Sequence, residues 1–366
     1  MKCVDLFAGV GGMSLGFENA GCEVVLAVEK FRPIAEGYTA NLPHTKMIVA
    51  GVEQLNIKET FSSVKAQGVD IVFGGPPCQG FSQKGKRLSI SDDRNFLFKY
   101  FVDVVSFLRP RFFVIENVPN ILTTANSFFY NEIEAAFAKL GYELKAQILN
   151  AADYGVPQQR KRAFIVGQLG GNTFEFPMPV KRKVTVSEAI SDLPAIASGE
   201  GELFYKYPCA ARSDYQRKMR KNSNGIVNHQ ATKHSQIALQ RLAMISHNGG
   251  GKEHLPEEHL TKSIYSGTWM RLREEGLART ITTRFDTPSS GQFTLPRQDR
   301  CLTVREAARL QSFPDRFIFT GTKSNQMLQV GNAVPPLLAQ AVATRILKDY
   351  TEALEFIESQ RAVNSA

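Results

Sequence analysis

From position 2 to about position 167, short apolar runs suited to buried strands alternate with stretches whose apolar residues recur every three or four positions. The strand-like runs are "CVDLF", "EVVLAVE", "DIVFGG", "RFFVIENV" and "RAFIVGQL". Between them, helical patterns start near Ser14, cover "RPIAEGYTAN", extend over about 96–108 and cover "NEIEAAFAKLG". Such alternation predicts an α/β fold, a doubly wound and mostly parallel sheet with helices on both faces.

After "FPMP" the rhythm is lost: residues 180–299 are rich in Gly, Ser, Asn, Pro and His and keep no steady period, as expected of a smaller irregular domain or a large insertion. Regular patterning returns at "LTVREAARLQSF", where Thr303 and Glu306 have capping-box spacing. A last helix over about 336–359 has apolar positions with which to dock onto the first domain. The expected division is 1–177, 178–327 as a small domain, and 328–366 returning to the first.

The 366 residues are 43% apolar and 22% charged, enough for a sizeable core. The net charge of +9 suits a polyanionic partner and a merely solvated basic surface equally well. The five cysteines, at positions 3, 22, 78, 209 and 301, lack CxxC or nearby CxxH spacing, so neither a disulfide framework nor a metal site is expected. With no charged leader ahead of an apolar stretch and no apolar run of membrane-spanning length, a cytoplasmic protein with no membrane partner is expected.

Two stretches carry candidate chemistry. "VDLFAGVGGMSLGFENAG" reads as strand, glycine-rich turn and helix start, with Glu29 at the end of the next strand, the layout of a nucleotide-type site. Its G-x-G-G spacing departs from the G-x-G-x-x-G of pyrophosphate sites, so a nucleoside without phosphates fits better, and S-adenosylmethionine meets that description. Asp5 and Glu29 are then able to face its ammonium and ribose groups; otherwise Gly9, Gly11 and Gly12 make only a tight turn. The second stretch, "GGPPCQGFSQKGKR", holds Cys78 just past a strand pattern, where a thiol is reachable by ligand rather than packed in a core.

These motifs resemble those of the DNA (cytosine-5) methyltransferases. The likeness rests on "DLFAGVGG", "PPCQGFS", "ENV", "QQRKR", "LTVREAARLQSFPD" and "GNAVPP", in that order, and covers nearly the whole chain outside about 180–263. It implies a Rossmann-like methyltransferase fold with a target-recognition domain, and methyl transfer from S-adenosylmethionine to C5 of cytosine in a specific double-stranded DNA sequence, with base flipping. Cys78 is implied as the nucleophile that adds to C6, and Glu116 as the group that holds and protonates N3. Arg160 and Arg162 belong to the same site, Arg162 toward cytosine O2 and the adjoining phosphate, with a surface salt bridge as the alternative for Arg160.

On the cofactor side the resemblance carries over Asp5, Phe7, Ala8, Gly9, Gly11, Gly12, Glu29, Pro76, Leu97, Asn332 and Ala333, with Phe7 on one adenine face. Two positions depart from the family: Val52 stands where an acidic residue is common, so that Glu53 would have to supply the adenine contact, and Lys30 replaces an aromatic or aspartate.

For DNA, Ser82, Gln83, Lys84, Lys86 and Arg87 lie in a stretch expected to close over the flipped base. "YKYPCAARSDYQRKMRK" carries six basic residues, one acidic and three tyrosines, which suits either phosphate contact with base stacking or a solvated face; Arg217 and Lys218 are its candidates. Arg284 is a candidate for backbone phosphate. A cognate restriction endonuclease acting on the same site is the protein partner this family suggests. A tRNA cytosine-5 methyltransferase and a silent DNA-binding homologue are the alternatives. The tRNA branch carries a Cys-Phe-Thr tripeptide that this chain lacks, and intact Cys78, Glu116 and Arg162 oppose silence.

Overall fold

The structure is a computed structural model that describes residues 1–77, 96–123, 127–171, 174–262 and 266–364. Its sheet contains β1 (Lys2–Leu6), β2 (Glu23–Glu29), β3 (Lys46–Val49), β4 (Ile71–Gly74), β5 (Phe112–Asn117), β6 (Tyr142–Asn150) and β7 (Lys161–Leu169). The order is β3-β2-β1-β4-β5-β7-β6. The first five are joined by parallel pairings, and β7 runs antiparallel between β5 and β6. The expected doubly wound, mostly parallel α/β sheet is therefore present.

Successive side chains of a strand point to opposite faces, so each central strand divides its apolar residues between two cores. Cys3, Ile71, Phe73, Phe112, Val114, Phe164 and Val166 share one. Val4, Leu6, Val72, Phe113, Ile115, Ala163 and Ile165 share the other. Burial on both sides explains why β1, β4 and β5 read as continuous apolar runs rather than alternating ones.

Helices α1 (Gly12–Asn19) and α8 (Pro336–Asn364) cover the first face, where Phe17 meets Leu338, Val342 and Ile346. This places the last helix on the first half of the chain, as expected, and extends it to Asn364. On α1 a Cβ at Gly16 would stand 2.5 Å from Ala339 Cβ and 2.6 Å from Pro336 O, so the absence of a side chain there lets the two helices touch. Helices α3 (Ile57–Ala66), α4 (Phe96–Leu108) and α5 (Phe128–Ala138) cover the other face through Phe61, Val64, Phe101, Ile133 and Phe137. Helix α2 (Arg32–Asn41) follows β2.

Residues 180–299 form short helices, three-residue turns and two-residue strand pairs. A third core joins this region to the rest, uniting Val10 and Tyr38 with Val186, Tyr215, Phe285 and Phe313. Helix α6 (Val304–Leu310) begins with the expected capping box: Glu306 N donates to Thr303 Oγ1 at 3.1 Å and Thr303 N to Glu306 Oε2 at 2.7 Å. Helix α7 (Lys323–Asn332) leads into α8. No helix among the described residues is long and apolar enough to cross a membrane.

Candidate active site

The carboxyl ends of β1, β2 and β4 border a cavity of about 450 Å³, at the sheet edge where open α/β folds bind ligands. Phe7 leaves β1 with φ 62°, in the left-handed region that a bulky residue seldom occupies. The chain thus turns so that Ala8 N donates to Val28 O at 2.9 Å. The Glu29 carboxylate is then clasped by backbone: Gly9 N donates to Oε2 at 2.9 Å and Phe31 N to Oε1 at 2.8 Å. Each oxygen keeps acceptor capacity for a sugar hydroxyl. At Gly12 a Cβ would stand 2.4 Å from Val334 O, so glycine there lets the segment carrying Asn332 and Ala333 close the wall.

Asp5, Phe7, Ala8, Gly9, Gly12, Glu29, Lys30, Val52, Glu53, Leu97, Asn332 and Ala333 all line this cavity. Gly11 and Pro76, expected with them, do not. Gly11 backs onto the Tyr38 ring, which a Cβ would approach to 2.8 Å, and Pro76 gives its carbonyl to Asn117 Nδ2 at 2.9 Å while Pro77 faces the cavity. Of the two positions that depart from the family, Lys30 forms an ion pair of 2.9 Å with Glu53, the residue after the other, Val52. Phe31 and Ile34, in the wall as well, were not anticipated. The available signal was a phenylalanine two positions past a strand end; Phe31 is 63% exposed.

Asp5 is fully buried beside the turn, and Ser14 Oγ donates to its Oδ2 at 2.6 Å. Burial raises the carboxyl's proton affinity to about 8, the Ser14 hydrogen bond opposing and the Glu29 charge adding to the shift.

Glu116, next to last in β5, also lines the cavity. Antiparallel pairing sets Glu116 opposite Phe164, two positions from Arg162 on β7, and Arg162 Nε lies 3.0 Å from Glu116 Oε1. Burial still raises the Glu116 carboxyl above its ordinary value, against the lowering influence of Arg162 and Arg160. A carboxyl whose proton affinity is raised in this way is better matched to proton exchange with a bound base.

Arg160 is buried, which rules out the surface salt bridge, and its charge reaches Glu116. Its guanidinium is internal, with Nη1 donating to Ile281 O at 3.0 Å and Nη2 to Gly331 O at 3.1 Å. Five donors in a rigid fork let arginine join two chain segments in this way, so Arg160 positions the wall.

Cys78, Ser82, Gln83, Lys84, Lys86 and Arg87 lie outside the described residues. Arg217, on the helix Asp214–Arg220, is exposed and pairs with Asp214; burial lowers the proton affinity of Lys218 beside it. The tyrosines of this basic run turn inward instead of forming a stacking face: Tyr215 donates to Arg309 O, and Tyr207 to Asp315 Oδ2 at 2.7 Å under the Arg220 guanidinium. Buried Asp192 and Asp315 draw these groups in by pairing with Arg220 and Arg309. Arg284 is exposed and 3.4 Å from Asp286.

A cavity with an aromatic wall, a backbone-clasped carboxylate and a second, buried carboxyl that feels no cation among the described residues fits a positively charged nucleoside. S-adenosylmethionine is such a molecule. Residues 1–348 match the model of the family described as C-5 cytosine-specific DNA methylase. The chain is 40% identical over 374 residues to the type II methyltransferase M.DdeI of Desulfomicrobium norvegicum, covering 94% of this chain and 88% of that one. To the type II methyltransferase M1.HphI of Haemophilus parahaemolyticus it is 38% identical over 348 residues, covering 94% and 86%. Among solved structures, a prophage-encoded DNA modification methyltransferase of E. coli matches with a TM-score of 0.77 at 29% identity, over 95% of this chain and 99% of that one. The chain belongs to the C-5 cytosine-specific DNA methylases, enzymes that transfer a methyl group from S-adenosylmethionine to C5 of cytosine in DNA.

Proposed function

We propose that Cys78 is the nucleophile of this reaction, that Glu116 is the acid facing cytosine N3, and that Arg162 meets cytosine O2 and the adjoining phosphate. The observation that carries the reading is the buried Glu116 carboxyl, its proton affinity raised, at the same strand-end cavity that Pro77 lines, one residue before Cys78. Cytosine C5 is a weak nucleophile. Addition of the Cys78 thiolate to C6, with a proton passing from Glu116 to N3, makes C5 an enamine carbon. The cofactor, when bound, supplies an electrophilic methyl group. Loss of the C5 proton then breaks the C6–S bond and restores the thiolate. Arg162, with Nε 3.0 Å from Glu116 Oε1, steadies the carboxylate as the proton leaves.

The target carbon lies inside the base stack, so the nucleotide is extruded at a cost of about a few kcal/mol. In this reading Ser82 and Gln83 enter the emptied space, while Lys84, Lys86 and Arg87 meet phosphate. Arg217, Lys218 and Arg284 add contacts from the recognition domain, residues 178–327, which reads the target sequence. The names of the type II relatives support a cognate restriction endonuclease as partner and cytoplasmic DNA as substrate.

Whole-genome bisulfite sequencing of a methylation-free host expressing the chain tests this reading. One protected motif, lost with Cys78→Ser, is the expected result. Protection that survives in the variant removes Cys78 from its role, and no protected cytosine at all removes the sequence-specific DNA reading. Transplanting residues 180–263 from a relative of known specificity should transfer the motif; an unchanged motif would place recognition elsewhere.

A further inference from the structure

Asp5 is an unusual wall for a cavity that takes a cation. It is buried, and the charged group it feels among the described residues is the Glu29 carboxylate, of like sign. Its hydrogen-bond partner Ser14 belongs to a chain of hydroxyls. Tyr38 Oη is 2.9 Å from Ser14 Oγ, the Thr45 hydroxyl is close enough to Tyr38 to lower its proton affinity, and Thr45 Oγ1 donates to Val24 O at 2.9 Å.

This chain is satisfied with Asp5 in either state. When Asp5 is ionised, Ser14 donates to it and Tyr38 donates to Ser14. When Asp5 is protonated, each hydroxyl can rotate so that Asp5 donates to Ser14, Ser14 to Tyr38, Tyr38 to Thr45 and Thr45 to the Val24 carbonyl. A buried carboxylate with no cation and a like charge nearby is costly, whereas its neutral form here leaves no donor unmet. Bringing a cation into the cavity reverses that balance.

We propose that Asp5 carries a proton in the free protein and gives it up when the positively charged methionine end of the cofactor enters, so that cofactor binding expels a proton and Asp5 selects for a cationic ligand. The inference rests on the reading that this cavity holds S-adenosylmethionine. Of the charged and titratable groups, Glu29 of β2 acts on Asp5 directly, Tyr38 of α2 is linked to it through Ser14 of α1, and Glu18 of α1 acts on Tyr38. The proton leaves to solvent, and the ligand's ammonium keeps its own. With a proton affinity of about 8, Asp5 is roughly nine-tenths protonated at pH 7.

The test is titration calorimetry of the full chain with S-adenosylhomocysteine, which keeps the ammonium and lacks the transferable methyl, in buffers of different ionisation enthalpy at about pH 7. The wild type should release about one proton per ligand, and its affinity should rise about tenfold per pH unit below about pH 8. Asp5→Asn should release almost none and bind with little dependence on pH. Ser14→Ala removes the hydrogen bond that lowers the proton affinity, so half-maximal release should move to higher pH. Binding without proton release in the wild type, or release that persists in Asp5→Asn, overturns the proposal. If S-adenosylhomocysteine fails to bind the wild type, the assignment of the cavity falls, and the proposal with it.

Discussion

Asn117 Nδ2 lies 2.9 Å from the carbonyl oxygen of Pro76, and Val118 N donates back to Asn117 Oδ1 at 2.9 Å. One amide thus pins the end of β5 to the turn that enters Cys78, using a donor and an acceptor at once. Asn117→Asp keeps the shape and the acceptor but loses the donor. Single-turnover methyl transfer should fall by about 10²-fold, since small displacements of a nucleophile have effects of this order. Affinity for S-adenosylhomocysteine should be unchanged, because Asn117 is not among the cavity-lining residues. Unchanged turnover in this variant would detach the latch from catalysis.

Glu116→Gln should reduce methyl transfer by about 10²–10⁴-fold with DNA binding retained. On the proposed reading the protonated carboxyl is the active form, so rate should decline as pH rises through a proton affinity above the usual carboxylate range. Arg162 lowers that affinity, and Arg162→Gln should carry the declining limb to more alkaline pH. A pH–rate profile that keeps its limb in Arg162→Gln contradicts the coupling.

Arg160→Ala should act on the fold before the chemistry. It leaves the carbonyls of Ile281 and Gly331 without their donors, at about 1–3 kcal/mol each. Arg160→Lys should recover little, because an ammonium group does not span both carbonyls as the planar fork does. Urea unfolding of the two variants distinguishes this from a catalytic role, in which stability would stay at the wild-type value.

His229 gives a pH dependence of another kind. Its ring is buried, with Nε2 2.8 Å from Pro194 O and Nδ1 3.0 Å from Thr303 Oγ1. A carbonyl only accepts, so Nε2 carries the proton and Nδ1 accepts from the threonine hydroxyl. Burial lowers the ring's proton affinity, with Glu306 opposing. The stability this contributes is present in full above the unfolded value of about 6.5 and is lost as pH falls below it, by at most about 1.4 kcal/mol per unit. Urea midpoints should therefore drop between about pH 7.5 and 5.5, and His229→Gln should lessen the drop.

Much of the site was legible because its residues sit at strand ends, and strand ends are punctuated. Helix α2 and helix α4 emerge at the bounds their periodicity marks, and Glu29 and Glu116 each close an apolar run. Direction was not legible: "RAFIVGQL" reads the same whether its strand runs up or down, and the antiparallel course of β7 comes from its place between β5 and β6. Strand β6 escaped notice because most of its residues are partly or fully exposed and the sequence there does not alternate cleanly. The inward role of Tyr207, Tyr215 and Arg220 was hidden for a further reason. A charge run reads as surface until its partners are known, and Asp192 and Asp315 are distant in sequence.

The bare face at Gly16 has a consequence in time. Gln340 Nε2 donates to Asn19 O across 321 positions, so α1 finds its covering helix only in the last part of the chain. Asn332, Ala333 and Val334, which complete the cofactor cavity, arrive only slightly earlier. A ribosome delivering this chain from its N-terminus exposes the glycine-rich turn and the α1 face of the first strands well before α8 can roof them. Competence for the cofactor thus waits until α8 has been made, and a nascent chain halted before α8 should be unable to retain the ligand.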